Sequence, residues 1–303
     1  MSNSAWLAAY SVAVVVVSLL GGCLPMLGRI THGRLQLYLS LSAGVMLGAA
    51  FFHVMPQAME LAGAAFGWWM ALSVVGLFCI ERFIAPHSHE VGEAAPKDHG
   101  PQAGGDHEHS PAAAPPIMGW MAVLGLTIHT FMNGVGLAGA VQIDVDTQAG
   151  IGAPSPTFGW ALPGLALFLA VVLHKPADAL AVSTVLTRKG VSLWKLGLVQ
   201  LGFATMVPLG ALAFYLTHGA IEEGLKNQIT GAALSFTAGT FLLIALSDLL
   251  PEVQFHRHDR VPLSLALVLG IALMGLIALL EQSHEGHSHA GHVSHVQKLG
   301  VRS

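Results

Sequence analysis

Two histidines lie inside long apolar stretches of this chain, each followed four residues later by a side chain that carries an oxygen. His129-Thr-Phe-Met-Asn133 sits in IMGWMAVLGLTIHTFMNGVGLAGAV, and His174-Lys-Pro-Ala-Asp178 sits in FGWALPGLALFLAVVLHKPADALAVSTVL. On a helix of about 3.6 residues per turn, positions i and i+4 share one face. Each stretch therefore offers an imidazole nitrogen and a carboxamide or carboxylate oxygen pointing the same way. Polar groups are costly in hydrocarbon, so such residues are a functional hypothesis by default. The two pairs together describe a metal site buried in a membrane. Imidazole, carboxylate and carboxamide suit Zn²⁺ or its neighbours better than Ca²⁺ or Mg²⁺, which want all-oxygen shells.

The elements that must position these residues are set by hydropathy. Of the 303 residues, 53% are hydrophobic and only 10% charged, against about 25% charged in an ordinary soluble domain. Eight segments are long enough to cross a hydrocarbon core, which takes about 20 residues. They are predicted near 5–27, 35–58, 65–85, 117–141, 158–186, 193–217, 229–250 and 262–281. The fold class is thus an all-α integral membrane protein, a bundle of eight transmembrane helices in a cell membrane. Arg29 and Arg34 follow the first segment, Arg82 and Lys97 the third, Arg188, Lys189 and Lys195 the fifth, and Arg257 and Arg260 the seventh. The alternate connections hold almost no Lys or Arg, so the positive-inside rule puts both termini outside the cytoplasm. The first segment lacks a charged leader and reads as a retained span. Cys23 and Cys79, isolated in apolar helices, read as small core residues rather than a disulfide or thiolate ligands.

Organisation follows from the breaks in this pattern. Residues 1–85 hold the first three spans and 86–116 form a His-rich cytoplasmic loop with no apolar periodicity, read as disordered. Residues 117–281 hold spans four to eight with the metal site on the fourth and fifth, and 282–303 form a His-rich extracytoplasmic tail. The loop and tail together contain ten of the seventeen histidines, which can gather divalent cations or be low-complexity filler. The connection 142–157 reads as an outer loop, with Asp144 and Asp146 as solvated acids. Small-residue seams such as GVGLAGA permit close packing within a protomer or between the two of a homodimer.

Depth links the pairs to a third helix. His129 lies at the middle of its span, His174 a little past the middle of its own, and Met46 is central in GVMLGAAFFHVMPQA. Three potential ligands at one level on three helices are what a midplane substrate site requires. A lone His in a membrane helix more often only hydrogen-bonds a neighbour, and a lone Met more often fills a gap; the common depth and the oxygen partners outweigh this for the two histidines. Asn133 fits a ligand role or a cap before Gly134. Met and Asn bind weakly, which suits a cation that must leave again. Pro176 removes the helical partner of the Val172 carbonyl and favours a kink. Lys175 at mid-depth needs a counter-charge, and Asp178 at i+3 is within reach. Polar positions also mark a path, with His53, Gln57 and Glu60 leading outward from Met46, and Asp248 and Glu252 at the cytoplasmic end of the seventh span. Solvated helix ends explain Glu60 and Glu252 equally well.

At this point the residues resemble the ZIP family of divalent-metal transporters along nearly the whole chain. HTFMNG is similar to the family's H-S/N-x-x-E/D-G motif, with Asn133 in place of the acid. HKPADALAVSTVL is similar to H-K-x-x-E-A/G-x-A, with Asp178 in place of Glu, while SAGVMLGAAFFHVMPQAME and AGTFLLIALSDLLPE resemble the second and seventh helices. The resemblance implies a primary site of Met46, His129, Asn133, His174 and Asp178 on an elevator-like or rocking transport domain. Some members hold a second metal, and the matching positions here are Thr130, Lys175 and Val207. Thr is a poor ligand, Lys a cation and Val no ligand at all, so the expectation is one ion per site, with the ammonium of Lys175 in the second metal's place.

The function expected is uptake of a divalent cation, Zn²⁺ first, into the cytoplasm, with no resident cofactor and no nucleic-acid partner. An intramembrane zinc-dependent hydrolase and a non-transporting metal sensor are the competing readings. No HExxH or GxSxG occurs in the chain, and nothing resembles a nucleotide-binding motif.

Overall fold

The structure, a computed structural model, describes residues 3–27, 32–80, 116–151, 162–249 and 260–299. Every regular element among the described residues is helical. In chain order they are α1 (Asn3–Leu27), α2 (His32–Ala49), a π-turn (Ala50–Val54), α3 (Met55–Ala62), a 3₁₀ turn (Gly63–Ala65) and α4 (Phe66–Cys79). Then follow α5 (Pro116–Ile151), α6 (Leu165–Arg188), α7 (Leu193–Ala220), α8 (Glu223–Ile244), a second π-turn (Ala245–Leu249) and α9 (Arg260–Leu299). Among the described residues, seven helical stretches are long and apolar enough to cross a membrane, one of them the 47-residue stretch Gly33–Cys79. Gly63 divides that stretch. Its φ of +52° lies in the region that side chains with a Cβ rarely adopt, and it ends α3 while leading into the 3₁₀ turn. Leu61 and Ala62 then lie against Gly231 of α8, whereas Met70 and Ser73 lie against Gly239, two turns further along.

Several sequence expectations change here. The π-turn at 50–54 falls just before Pro56, whose missing N–H releases the carbonyl of Phe52 and lets the ladder widen. The expected outer loop from 142 is instead helical to Ile151. Gln142 donates to Asp146 Oδ1 at 2.8 Å one turn on, and Asp144 Oδ2 accepts the Gly164 amide at 2.7 Å. These acids stabilise a helix end and a turn rather than merely facing solvent. Gly164, at φ +69°, starts α6 later than hydropathy suggested. The backbone of α9 continues helically through the His-rich tail to Leu299. Cys23 faces outward and Cys79 is half-buried, so neither is the core filler expected. The His-rich loop up to residue 115, Arg29, Arg82, Lys97, Arg257 and Glu252 lie outside the described residues.

The helices pack as two bundles. In one, α5 lies along α7, α1 lies along α6 and α7, and α5 lies on α6. In the other, α2 pairs with α9, and α3 and α4 pack on α8. Lipid is as apolar as a leucine side chain, so close backbone approach and interhelical hydrogen bonds hold such contacts. Glycines allow that approach where it matters. Gly134 lies against the Val207 carbonyl and Gly210 against the Phe131 carbonyl, which brings α5 and α7 into direct backbone contact. Gly44 against the Leu267 carbonyl does the same for α2 and α9. The GVGLAGA seam is used inside the protomer, since Gly136 rests on Thr237 and Gly139 on Leu234. The bundles meet through α5 on α8 and α2 on α6, around a buried apolar core that includes Met46, Ala49, Leu167, Val171, Val207 and Phe241.

Candidate metal centre

The i, i+4 spacing works as the sequence suggested. α5 presents His129 and Asn133 on one face, α6 presents His174 and Asp178, and all four are buried. His129, His174 and Asp178 each offer a ligand atom within 4.8 Å of the others. Asp178 Oδ2 is 3.8 Å from His129 Nε2 and 3.6 Å from His174 Nε2. Ring orientation is set from outside the cluster. His174 donates from Nδ1 to the Ala170 carbonyl at 2.7 Å, one turn back on its own helix, which leaves Nε2 as the lone-pair nitrogen facing Asp178. Phe241 of α8 walls the other side, its ring centroid 5.6 Å from that of His129 and 5.4 Å from that of His174.

Asn133 bridges the two imidazoles. Its amide nitrogen lies 3.3 Å from His129 Nε2 and 3.1 Å from His174 Nε2. Its Oδ1 is buried with no hydrogen-bond partner among the described residues. A half-turn of the amide exchanges the two atoms and would present that oxygen where both lone pairs converge. A buried acceptor without a donor is costly, and a cation satisfies it. Asn133 is not a helix cap, since α5 runs on unbroken past Gly134.

Lys175 is fully buried beside this set. Its Nζ donates to Thr130 Oγ1 at 2.6 Å and to Asp178 Oδ2 at 3.3 Å, and lies 4.4 Å from the ring centroid of Phe203. Thr130 in turn donates to the Leu126 carbonyl at 2.7 Å. The ammonium therefore has an anion, a hydroxyl and an aromatic face as its surroundings. It shares Oδ2 with both imidazoles, so the carboxylate beside the two rings already neutralises a lysine. Val207 is buried in the boundary core and offers no ligand atom.

The other expected residues come from other elements. Met46 is fully buried in the boundary core that also contains Phe241, and it comes from the opposite bundle to the other four. His53 Nε2 is 3.0 Å from the Met274 carbonyl, tying the first π-turn to α9. Gln57 is half-buried and Glu60 exposed on α3. Among the described residues neither His53 nor Glu60 joins the ligand cluster. Asp248 falls in the second π-turn, and Glu252 is beyond the described residues. Sequence reasoning missed Phe241 and Phe203, because apolar side chains in apolar helices carry no signal of their own.

The profile of the family described as ZIP Zinc transporter matches residues 4–153 and 161–278. The chain is 24% identical over 298 residues to zinc transporter ZIP9-B of Xenopus laevis, covering 89% of this chain and 92% of that one. It is 26% identical over 280 residues to human zinc transporter ZIP13, covering 81% and 71% respectively. A Drosophila melanogaster ZIP13 homologue is 31% identical over 166 residues, 54% of this chain and 42% of that one. These are transporters rather than enzymes. Seven membrane-length helical stretches among the described residues, a buried cluster of nitrogen and oxygen atoms that could hold a metal ion, and a family match over nearly the full length lead to one conclusion: this multi-pass membrane protein belongs to the ZIP zinc transporter family.

Proposed function

We propose that the chain carries Zn²⁺ or a close divalent relative into the cytoplasm through a single mid-depth site made by Met46, His129, Asn133, His174 and Asp178. The bundle of α1, α5, α6 and α7 moves against the rest in an elevator-like or rocking cycle. Eight crossings place both termini outside the cytoplasm, the reversal at Gly63 dividing the 47-residue stretch into the second and third. One observation carries this reading. Four of the five ligands belong to one bundle and lie at its boundary with the other, which supplies Met46 and Phe241. A moving bundle keeps its four ligands and exchanges only the weakest one, so the cation travels with its carrier. Thr130, Lys175 and Val207 close off a second metal position, with the lysine ammonium repelling a further cation.

Proteoliposomes containing the full chain and an entrapped zinc dye test the reading. Zinc flux is expected to be lost in His174→Ala and retained when residues 86–116 are deleted. Flux that persists in His174→Ala removes the site from the transport path. Zinc binding without flux in the parental chain favours a sensor. Counting ions bound at the core of a chain lacking both His-rich stretches tests stoichiometry, and an occupancy of two overturns the single-ion reading.

A further inference from the structure

Between described residues, side-chain hydrogen bonds cross the boundary around Met46 and Phe241 at two points. Tyr38 of α2 donates to the Leu173 carbonyl of α6 at 2.9 Å. Thr237 of α8 donates to the Met132 carbonyl of α5 at 3.2 Å. Each acceptor belongs to the residue directly before a candidate ligand: Leu173 precedes His174, and Met132 precedes Asn133. Both bonds therefore join the second bundle to the backbone that carries the cluster, once on each ligand-bearing helix.

The local chemistry makes both contacts reversible. Pro176 lacks the N–H that would bond the Val172 carbonyl, which loosens the ladder of α6 at the turn where Tyr38 enters. The Leu173 carbonyl lies within the continuous helix α6, where the amide four residues on is its ladder partner, so it keeps a donor when the phenol leaves. Thr237 has a similar alternative, since its hydroxyl also lies 2.9 Å from the Ala233 carbonyl of its own helix. Gly136 makes this contact fit, because a Cβ there would stand 2.6 Å from the Thr237 methyl. Breaking either bond leaves the acceptor carbonyl its own helical partner.

We propose that Tyr38 and Thr237 are positioning residues, a two-point latch that holds the ligand-bearing helices against the second bundle in this conformation and opens in each transport cycle. The latch rests on the moving-bundle reading above. An interhelical hydrogen bond in a membrane protein shifts a two-state population by about threefold on average, so each point is strong enough to bias the cycle and weak enough to release.

The test compares the full chain with Tyr38→Phe, Thr237→Val and the double variant, each retaining side-chain shape. Hydrogen–deuterium exchange in nanodiscs is read on peptides covering 126–137 and 166–180, and zinc flux is read in proteoliposomes. Both peptides should exchange faster in the double variant. Maximal flux should rise about threefold per bond lost, while KM for zinc stays within about twofold. Thr237→Ser, which keeps the hydroxyl, should behave as the parent. Parental exchange and flux in the double variant overturn the latch, as does a higher KM at unchanged maximal flux. If the double variant does not fold, Tyr38→Phe alone decides by the same two readouts. A parental chain that moves no zinc defeats the transport reading instead, and the exchange comparison still decides whether these bonds hold the helices.

Discussion

Lys175 and Asp178 share one oxygen with two imidazoles, and that sharing governs how the centre responds to mutation. Asp178→Ala removes the proposed acidic ligand but also strands a fully buried ammonium. Leaving one partner of a buried ion pair costs about 3–5 kcal/mol, so zinc flux should vanish and the melting temperature should fall together. Adding Lys175→Met should recover the melting temperature without recovering flux; a double variant that transports zinc would remove Asp178 from the ligand set. Lys175→Met alone reverses the sign of the effect on binding. It frees the carboxylate and deletes a positive charge near the cation, so calorimetry should show zinc bound at least about tenfold more tightly, while the metal-free protein melts lower. Weaker zinc binding in that variant would mean that the lysine assists the site. Asn133 belongs to the same balance, with one orphaned oxygen and an amide that faces two lone pairs.

The glycines of α5 set the reach of its ligands at the level of the helix. Gly134, next to Asn133, lets the backbone of α5 touch that of α7 at Val207. A methyl group there has nowhere to go, because its neighbours are backbone atoms. Gly134→Ala should cost about 1–3 kcal/mol as an overpacked contact and weaken zinc binding by displacing Asn133. Gly197→Ala on α7 is the control, since a Cβ there meets nothing within 4 Å and alanine favours a helix by about 1 kcal/mol. Equal melting temperatures for the two variants would contradict the close crossing. Pro56 and Pro176 act on helices differently: the first is preceded by a π-turn, while the second stays inside a continuous α6 and loosens it where Tyr38 docks.

The proposed motion of one bundle against the other would be a property of the whole molecule, and it can be tested by arresting it. Gly136 of α5 and Thr237 of α8 face each other across the boundary, with 3.1 Å between an ideal Cβ at Gly136 and that of Thr237. A disulfide wants about 3.5–4.5 Å between Cβ atoms, so a slight separation admits one. In Gly136→Cys/Thr237→Cys, oxidation should stop zinc flux and reduction restore it, with zinc binding retained throughout. Flux through the oxidised protein would exclude a moving bundle.

Much of this was legible beforehand because it depends on short range. Hydrophobic length and low charge placed the helices, since crossing hydrocarbon leaves few alternatives to a helix. The i, i+4 pairs placed each His beside its Asn or Asp partner, because helical periodicity is local, and Lys175 at i+3 of Asp178 was readable for the same reason. The end of α5 was not, because Asp144 finds its partner at Gly164, twenty positions away. Nor could spacing show that Asn133 bridges both imidazoles, that Thr130 and Phe203 complete the lysine's surroundings, or that Tyr38 and Thr237 address the two ligand-bearing helices. Those contacts join residues on different helices, and only the packing of helices within and between the bundles decides them.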